Sequence, residues 1–161
     1  RNNLQNRAFI YSENIKKAQP IFKIYNDSKT TGVLYCKIKT GDFLSVFSAS
    51  EKQNKINYTL EGKLYLLGED FAVDSFSISK DIATDTIKKI TEEINLQCKE
   101  GERYILEIKL IDNHKVSTTN HSINIDRTAI NKNDYLIFDK KNKLKFSNKN
   151  KSKVFWKQET N

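Results

Sequence analysis

The chain has 161 residues and a formal net charge of +8, from 28 Lys and Arg residues against 20 Asp and Glu residues. Hydrophobic residues make up 37% of the sequence and aromatic residues 11%, which is too apolar for a disordered chain and indicates one domain with its own core. Two cysteines exclude a disulfide-rich protein, and no apolar stretch approaches the ~20 residues of a membrane-spanning helix.

Stretches of alternating polar and apolar residues predict β-strands along most of the chain. Residues 34–39 place Leu34, Cys36 and Ile38 on one face, and residues 56–60 and 121–126 alternate in the same way. Clusters of turn-forming residues separate such stretches: 26–29, 40–42, 68–70 and 112–114. The sequence therefore predicts an all-β protein, an antiparallel immunoglobulin-like β-sandwich over residues 20–127 that follows an extended tether at residues 1–19.

The segment around residues 87–98 fits two periodicities. Ile87, Ile90 and Ile94 have helical spacing, whereas Ile90, Glu92 and Ile94 also alternate as a strand does. We predict a strand, because the rest of the sequence favours β-structure.

Gly101 and Tyr104 form the most informative local pattern. In immunoglobulin-like sandwiches a Tyr at the start of a late strand turns its hydroxyl back to the preceding backbone, and this arrangement is called a tyrosine corner. The alternative is an ordinary hairpin with a core Tyr. In both cases Tyr104, Leu106, Ile108 and Leu110 are predicted to face the core.

No residue pattern predicts catalysis, and we expect a protein that is not an enzyme and that binds no cofactor or metal. His114 and His121 are seven residues apart across a predicted turn, which is not a metal-ligand or general-base spacing. Cys36 and Cys98 both fall on predicted inward faces. They are either two buried thiols, which we favour, or a cross-sheet disulfide.

The C-terminal segment carries most of the positive charge. Residues 140–161 contain eight Lys and one Glu, which leaves a net charge of +1 for residues 1–139. Residues 134–139 and 144–146 predict two strands and a turn, so residues 128–161 are either a basic β-hairpin or the start of a second small β module. Its basic and aromatic side chains are the predicted interaction surface: Lys145, Phe146, Lys153, Phe155, Trp156 and Lys157.

Five short motifs resemble the N-terminal β-region of the GWxTD-domain proteins of Bacteroidota. They are residues 8–11 (AFIY), 20–28 (PIFKIYNDS), 34–38 (LYCKI), 101–108 (GERYILEI) and 133–139 (NDYLIFD). The resemblance implies an exported envelope lipoprotein with an immunoglobulin-like sandwich and a lipid anchor just before Arg1. The Gly-Trp-x-Thr-Asp signature itself does not occur in the chain. Asp85-Thr86-Ile87 resembles an O-glycosylation site of such bacteria, which marks Thr86 as a candidate for modification.

The expected function is therefore that of a non-catalytic scaffold or accessory lipoprotein subunit at the outer membrane. It would contact other outer-membrane or periplasmic proteins through strand edges or loops. The first alternative is a carbohydrate-binding module with aromatic stacking platforms at Tyr35, Tyr65, Phe155 and Trp156. The second alternative is nucleic-acid binding through the Lys-rich C-terminal segment, which the near-neutral remainder of the chain does not favour.

Overall fold

The computed structural model describes residues 17–130, 134, 136–138, 141, 143–144 and 155–157, of which 137 and 155–157 are described by their backbone only. The strands are β1 (Ile21–Tyr25), β2 (Thr31–Lys39), β3 (Val46–Ser48), β4 (Gln53–Leu66), β5 (Ala72–Ala83), β6 (Lys89–Gln97), β7 (Arg103–Asp112), β8 (Ser117–Asp126), β9 (Leu136–Phe138) and β10 (Phe155–Lys157). A short 3-10 turn, Thr40–Asp42, follows β2. No helix among the described residues is long and apolar enough to span a membrane.

Two antiparallel sheets form a β-sandwich, which confirms the predicted fold class. One sheet has the order β1-β2-β6, and the other has the order β5-β4-β7-β8. Strand β3 pairs with the first residues of β4, on the same edge of β4 as β7. In a constant-type immunoglobulin domain the fourth strand lies in the sheet that contains the first two strands. The corresponding strand here is β5, and it lies in the other sheet, where it pairs with β4.

The core lies between the sheets and follows the alternation that the sequence predicts. Leu34 of β2 and Ile94 of β6 are cross-strand neighbours, and Leu60 of β4 lies opposite Leu110 of β7. These four side chains are buried, as is the Tyr104, Leu106, Ile108 series of β7. Burial of each such side chain contributes about 1.5–3 kcal/mol, so the core supplies most of the stability of the sandwich.

Strand β5 packs closely on β4 because one position has no side chain. Gly62 of β4 lies opposite Phe76 of β5, and a Cβ on Gly62 would be 2.2 Å from the Phe76 ring. The aromatic ring therefore fills the space that a larger residue in β4 would occupy.

Two further predictions are decided by the strand assignment. The ambiguous segment is strand β6, with Glu92, Ile94 and Leu96 buried on one face, so the strand prediction is confirmed. The C-terminal hairpin was predicted to pair residues 134–139 with residues 144–146. In the structure β9 pairs with β10, and the described contact with the predicted partner is one bridge between Phe138 and Leu144.

Candidate binding site

Three connections between strands meet at one end of the sandwich. They are residues 40–52 between β2 and β4, residues 84–88 between β5 and β6, and residues 113–116 between β7 and β8. We call this surface the loop end. Loops at one end of a β-sandwich carry the recognition residues in antibody variable domains, because a rigid scaffold positions them together.

Hydrogen bonds join the first two connections. The Thr40 amide donates to the Lys88 carbonyl over 3.1 Å, and the Thr40 hydroxyl donates to the Ile87 carbonyl over 2.8 Å. The hydroxyls of Ser45 and Thr84 lie 3.1 Å apart. These bonds hold the two connections in one arrangement.

A buried carboxylate joins the first connection to the third. Asp112 is only 4% exposed and accepts hydrogen bonds from the amides of Leu44 (2.7 Å), His114 (3.1 Å) and Lys115 (3.2 Å). The His114 Nδ1 atom also lies 3.1 Å from the Leu44 carbonyl oxygen. Asp112 therefore fixes the backbone of both loops, and His114 takes part in this framework.

Apolar side chains project from this framework into solvent. Val116 is 87% exposed and Phe47 is 61% exposed. We call the exposed apolar residues of the loop end the apolar tips: Leu44, Val46, Phe47, Ile87 and Val116. Single exposed apolar residues are ordinary, but several on connected loops at one end of a molecule are typical of an interaction surface.

Two residues of the loop end have unusual backbone angles. Val116 has a φ of 54° and Lys52 a φ of 53°, which is the left-handed region. This region is unfavourable by roughly 1–2 kcal/mol for a residue with a Cβ, and a β-branched residue is a rare occupant. At Val116 the chain therefore combines an unfavourable backbone conformation with an exposed apolar side chain.

A polar cluster surrounds the buried Glu92 carboxylate, with Lys80 partly exposed at the edge of the sandwich, and the sequence reasoning missed it. The Tyr58 hydroxyl donates to Glu92, and the Lys80 ammonium donates to both oxygens of Glu92 over 2.7 and 2.9 Å. The inward position of Glu92 in the alternating pattern of β6 was the available signal. Burial and the nearby Glu92 charge raise the pKa of Tyr58, and the same causes raise the pKa of the Cys36 thiol to about 12.

The opposite end of the sandwich is closed by hydrogen bonds to the backbone. Gly101 has a φ of 89°, and the Tyr104 hydroxyl accepts a hydrogen bond from the Lys99 amide over 2.8 Å, which is the geometry of a tyrosine corner. The buried Arg127 guanidinium donates to the carbonyls of Ser28, Thr31 and Cys98. Sequence reasoning did not identify Arg127, which resembles an ordinary charged residue of a loop.

The register excludes a disulfide between the two cysteines. Cys36 lies opposite Glu92, and Cys98 follows Glu92 by six residues along an extended chain, a span of about 20 Å. A disulfide requires Cα atoms within ~7 Å of each other. Both thiols are free and buried, so the favoured prediction of two buried thiols is confirmed.

The remaining predicted site residues do not converge on one surface. Tyr35 and Tyr65 lie on the outer faces of different sheets, so they cannot form one stacking platform for a sugar. Thr86 is exposed in the turn between β5 and β6, within the loop end. The side chains of Lys145, Phe146, Lys153, Phe155, Trp156 and Lys157 lie outside the described part of the chain.

His121 is half-buried on the inner face of β8. Its ring packs edge-on against Phe22 with ring centroids 5.1 Å apart, and its Nε2 atom is buried without a hydrogen-bond partner. Burial lowers the pKa of this imidazole. Within the described ranges no group of His, Cys, Asp and Glu side chains could hold a metal ion.

No protein-family model matches the chain, and no curated protein matches it at a significant level.

Proposed function

We propose that the protein is a non-catalytic binding protein of the cell envelope, an accessory lipoprotein subunit that holds another outer-membrane or periplasmic protein against its loop end. The observation that carries the binding role is the set of apolar tips on loops fixed by Asp112 and Thr40. The envelope location rests on the resemblance of the sequence motifs to GWxTD-domain proteins.

The fixed loops favour binding for a thermodynamic reason. A flexible loop loses conformational entropy when a partner orders it, and this loss reduces affinity. The loop end is already held by hydrogen bonds between its three connections, so most of that loss occurs when the protein folds. Apolar side chains at the centre of such a surface are the residues whose truncation typically weakens binding most.

The experiment compares two Phe variants with matched exposure. Phe47 belongs to the apolar tips and is 61% exposed, whereas Phe71 is 65% exposed and lies in the β4–β5 connection, outside the loop end. The wild-type protein and the Phe47→Ser and Phe71→Ser variants are used to capture proteins from a cell-envelope extract. We expect one protein that the wild type and Phe71→Ser capture equally, and that Phe47→Ser captures about tenfold less.

Two results would overturn the proposal. Capture of the same proteins in the same amounts by all three forms would remove the loop end as the binding surface. A gene that encodes no lipobox Cys immediately before Arg1, together with recovery of the protein away from the envelope fraction, would remove the proposed location.

A further inference from the structure

Strand β8 is the edge of the larger sheet, and no described strand pairs with its outer side. It runs for 10 residues, Ser117–Asp126, and pairs with β7 along its whole length without a register shift. An edge strand exposes a row of backbone N–H and C=O groups that another strand can pair with. Proteins usually protect such edges with charges, Pro residues, bulges or covering segments.

The opposite edge of the same sheet is protected in these ways. Strand β5 points Asp74 and Lys80 toward the interior, and a bulge interrupts its pairing with β4 near Leu64. Asp74 accepts a hydrogen bond from the Gln97 amide of β6, and Lys80 forms an ion pair with Glu92. An added strand at this edge would have to bury these charges.

The edges of the smaller sheet are protected as well. Strand β6 lies beside β5, and its Gln97 amide is already bonded to Asp74. Strand β1 has only 5 residues, and its Lys23 and Tyr25 make further interactions.

Over residues 117–125, strand β8 has none of these features in the part of the chain that the structure describes. Its residues 117–125 include no Lys, Arg, Asp, Glu, Pro or Gly. The inner positions Thr119, His121 and Ile123 are half-buried, whereas every inner position of β7 is buried. Phe22 of β1 is also half-buried and faces His121 across the sandwich. Among the residues that the structure describes, the core is therefore open on the β8 side, and the described groups that line the opening are uncharged when His121 is neutral.

We infer that β8 is a strand-addition site for an extended, uncharged segment of a partner protein with apolar residues at every second position. The segment extends the sheet by backbone hydrogen bonds, and its apolar side chains cover Phe22 and Ile123. A second copy of this chain, pairing through its own β8, fits less well than such a segment, because only Ile123 and Ile125 among its inner positions are apolar. The inference rests on a different surface from the loop end, so either proposal can fail without the other.

The experiment uses a defined probe. A labelled ten-residue peptide of alternating Val and Thr is titrated into the full chain, with a second peptide that carries Pro at its centre as control. We expect saturable binding of the first peptide and none of the second, because Pro removes a backbone donor and disrupts the extended pairing. Amide hydrogen exchange of β8 should slow about tenfold in the complex, with no comparable change in β5.

Two Lys variants separate pairing at the edge from a simple charge effect. Thr119 points into the sandwich and Thr118 points to the outer face. Thr119→Lys should weaken peptide binding at least about tenfold, because the added strand would bury the new charge. Thr118→Lys should change binding less than about twofold, because its ammonium stays in solvent. Ser117→Lys, at the next inner position, replaces Thr119→Lys if that variant does not fold.

Several outcomes would overturn the inference. They are no saturable binding of the Val–Thr peptide, equal binding of the Pro peptide, equal effects of the two Lys variants, and protection outside β8. Self-association of the wild-type chain with protection at β8 would assign the edge to a second copy instead. Phe47→Ser should leave peptide binding unchanged, which separates this site from the loop end.

Discussion

Asp112 is the residue whose removal most directly tests how the loop end is organised. Its carboxylate accepts three backbone hydrogen bonds, from Leu44 in one connection and from His114 and Lys115 in another. Asp112→Ala removes all three acceptor contacts and leaves the strands of the core in place.

The expected loss of stability follows from these contacts. A hydrogen bond to a charged group contributes about 1.5–3 kcal/mol, and the shortest of the three, to the Leu44 amide, takes a value in this range. The amides of His114 and Lys115 lie in a turn and can bond to water, so each adds roughly 0.5 kcal/mol. The total is about 3 kcal/mol, which for a chain of this length lowers Tm by roughly 6–12 °C.

Urea unfolding and thermal unfolding of the wild type, Asp112→Ala and Asp42→Ala measure this effect. Asp42→Ala removes the same charge from the same loop end without removing the three hydrogen bonds, and it should cost under about 0.5 kcal/mol. A loss below about 1 kcal/mol in Asp112→Ala, or an equal loss in Asp42→Ala, would refute the reasoning. Partner capture should fall with Asp112→Ala even at temperatures where the variant is fully folded.

Three further predictions concern single side chains. Val116→Asn should stabilise the protein by about 1 kcal/mol in urea unfolding, because Asn tolerates the left-handed region better than Val, and it should weaken partner capture. Burial lowers the pKa of His121 in the folded state. The contribution of His121 to the free energy of unfolding is therefore complete above the unfolded pKa of about 6.5, and it is lost as the pH falls below that value. His121→Leu should flatten this dependence of stability on pH, and an unchanged slope would contradict the prediction. The Cys36 side chain is buried, and its thiol pKa is raised to about 12. The thiol should therefore resist a thiol reagent at pH 8 until urea unfolds the chain. Rapid labelling of the native protein would contradict this prediction.

Alternation in the sequence was sufficient to predict at least part of β2, β4, β7 and β8 with their buried faces, whereas it did not identify β3 or β5. Alternation of side chains is a local property, and it identifies the inward series of β2 and β7 without knowledge of the partner strands. The segment of β6 could be assigned because residues around it also favour β-structure, although its Ile spacing fits a helix equally well. Gly101 and Tyr104 are close in sequence, so their arrangement was predictable from a short pattern.

The loop end could not be predicted in the same way. Leu44 and Phe47 are apolar residue types that usually lie in a core, and only the fold reveals that they project from an end of the sandwich. Asp112 resembled one member of a turn cluster, although its partner Leu44 is 68 residues away in the chain. The Glu92 cluster and Arg127 also depend on contacts between distant strands, which periodicity does not encode.

Buried polar groups fix the backbone at both ends of the sandwich. At one end, the buried Arg127 guanidinium and the Tyr104 hydroxyl pair with the backbone of neighbouring turns, so their polar groups are used within the fold. At the loop end, Asp112 fixes the backbone in the same way, and Phe47 and Val116 project outward and bury little surface within the chain, as Phe71 does at the opposite end. Because such side chains contribute little to the core, their replacement by Ser should leave the free energy of unfolding nearly unchanged. Loss of binding without loss of stability at Phe47 is therefore the result that separates an interaction surface from a part of the fold.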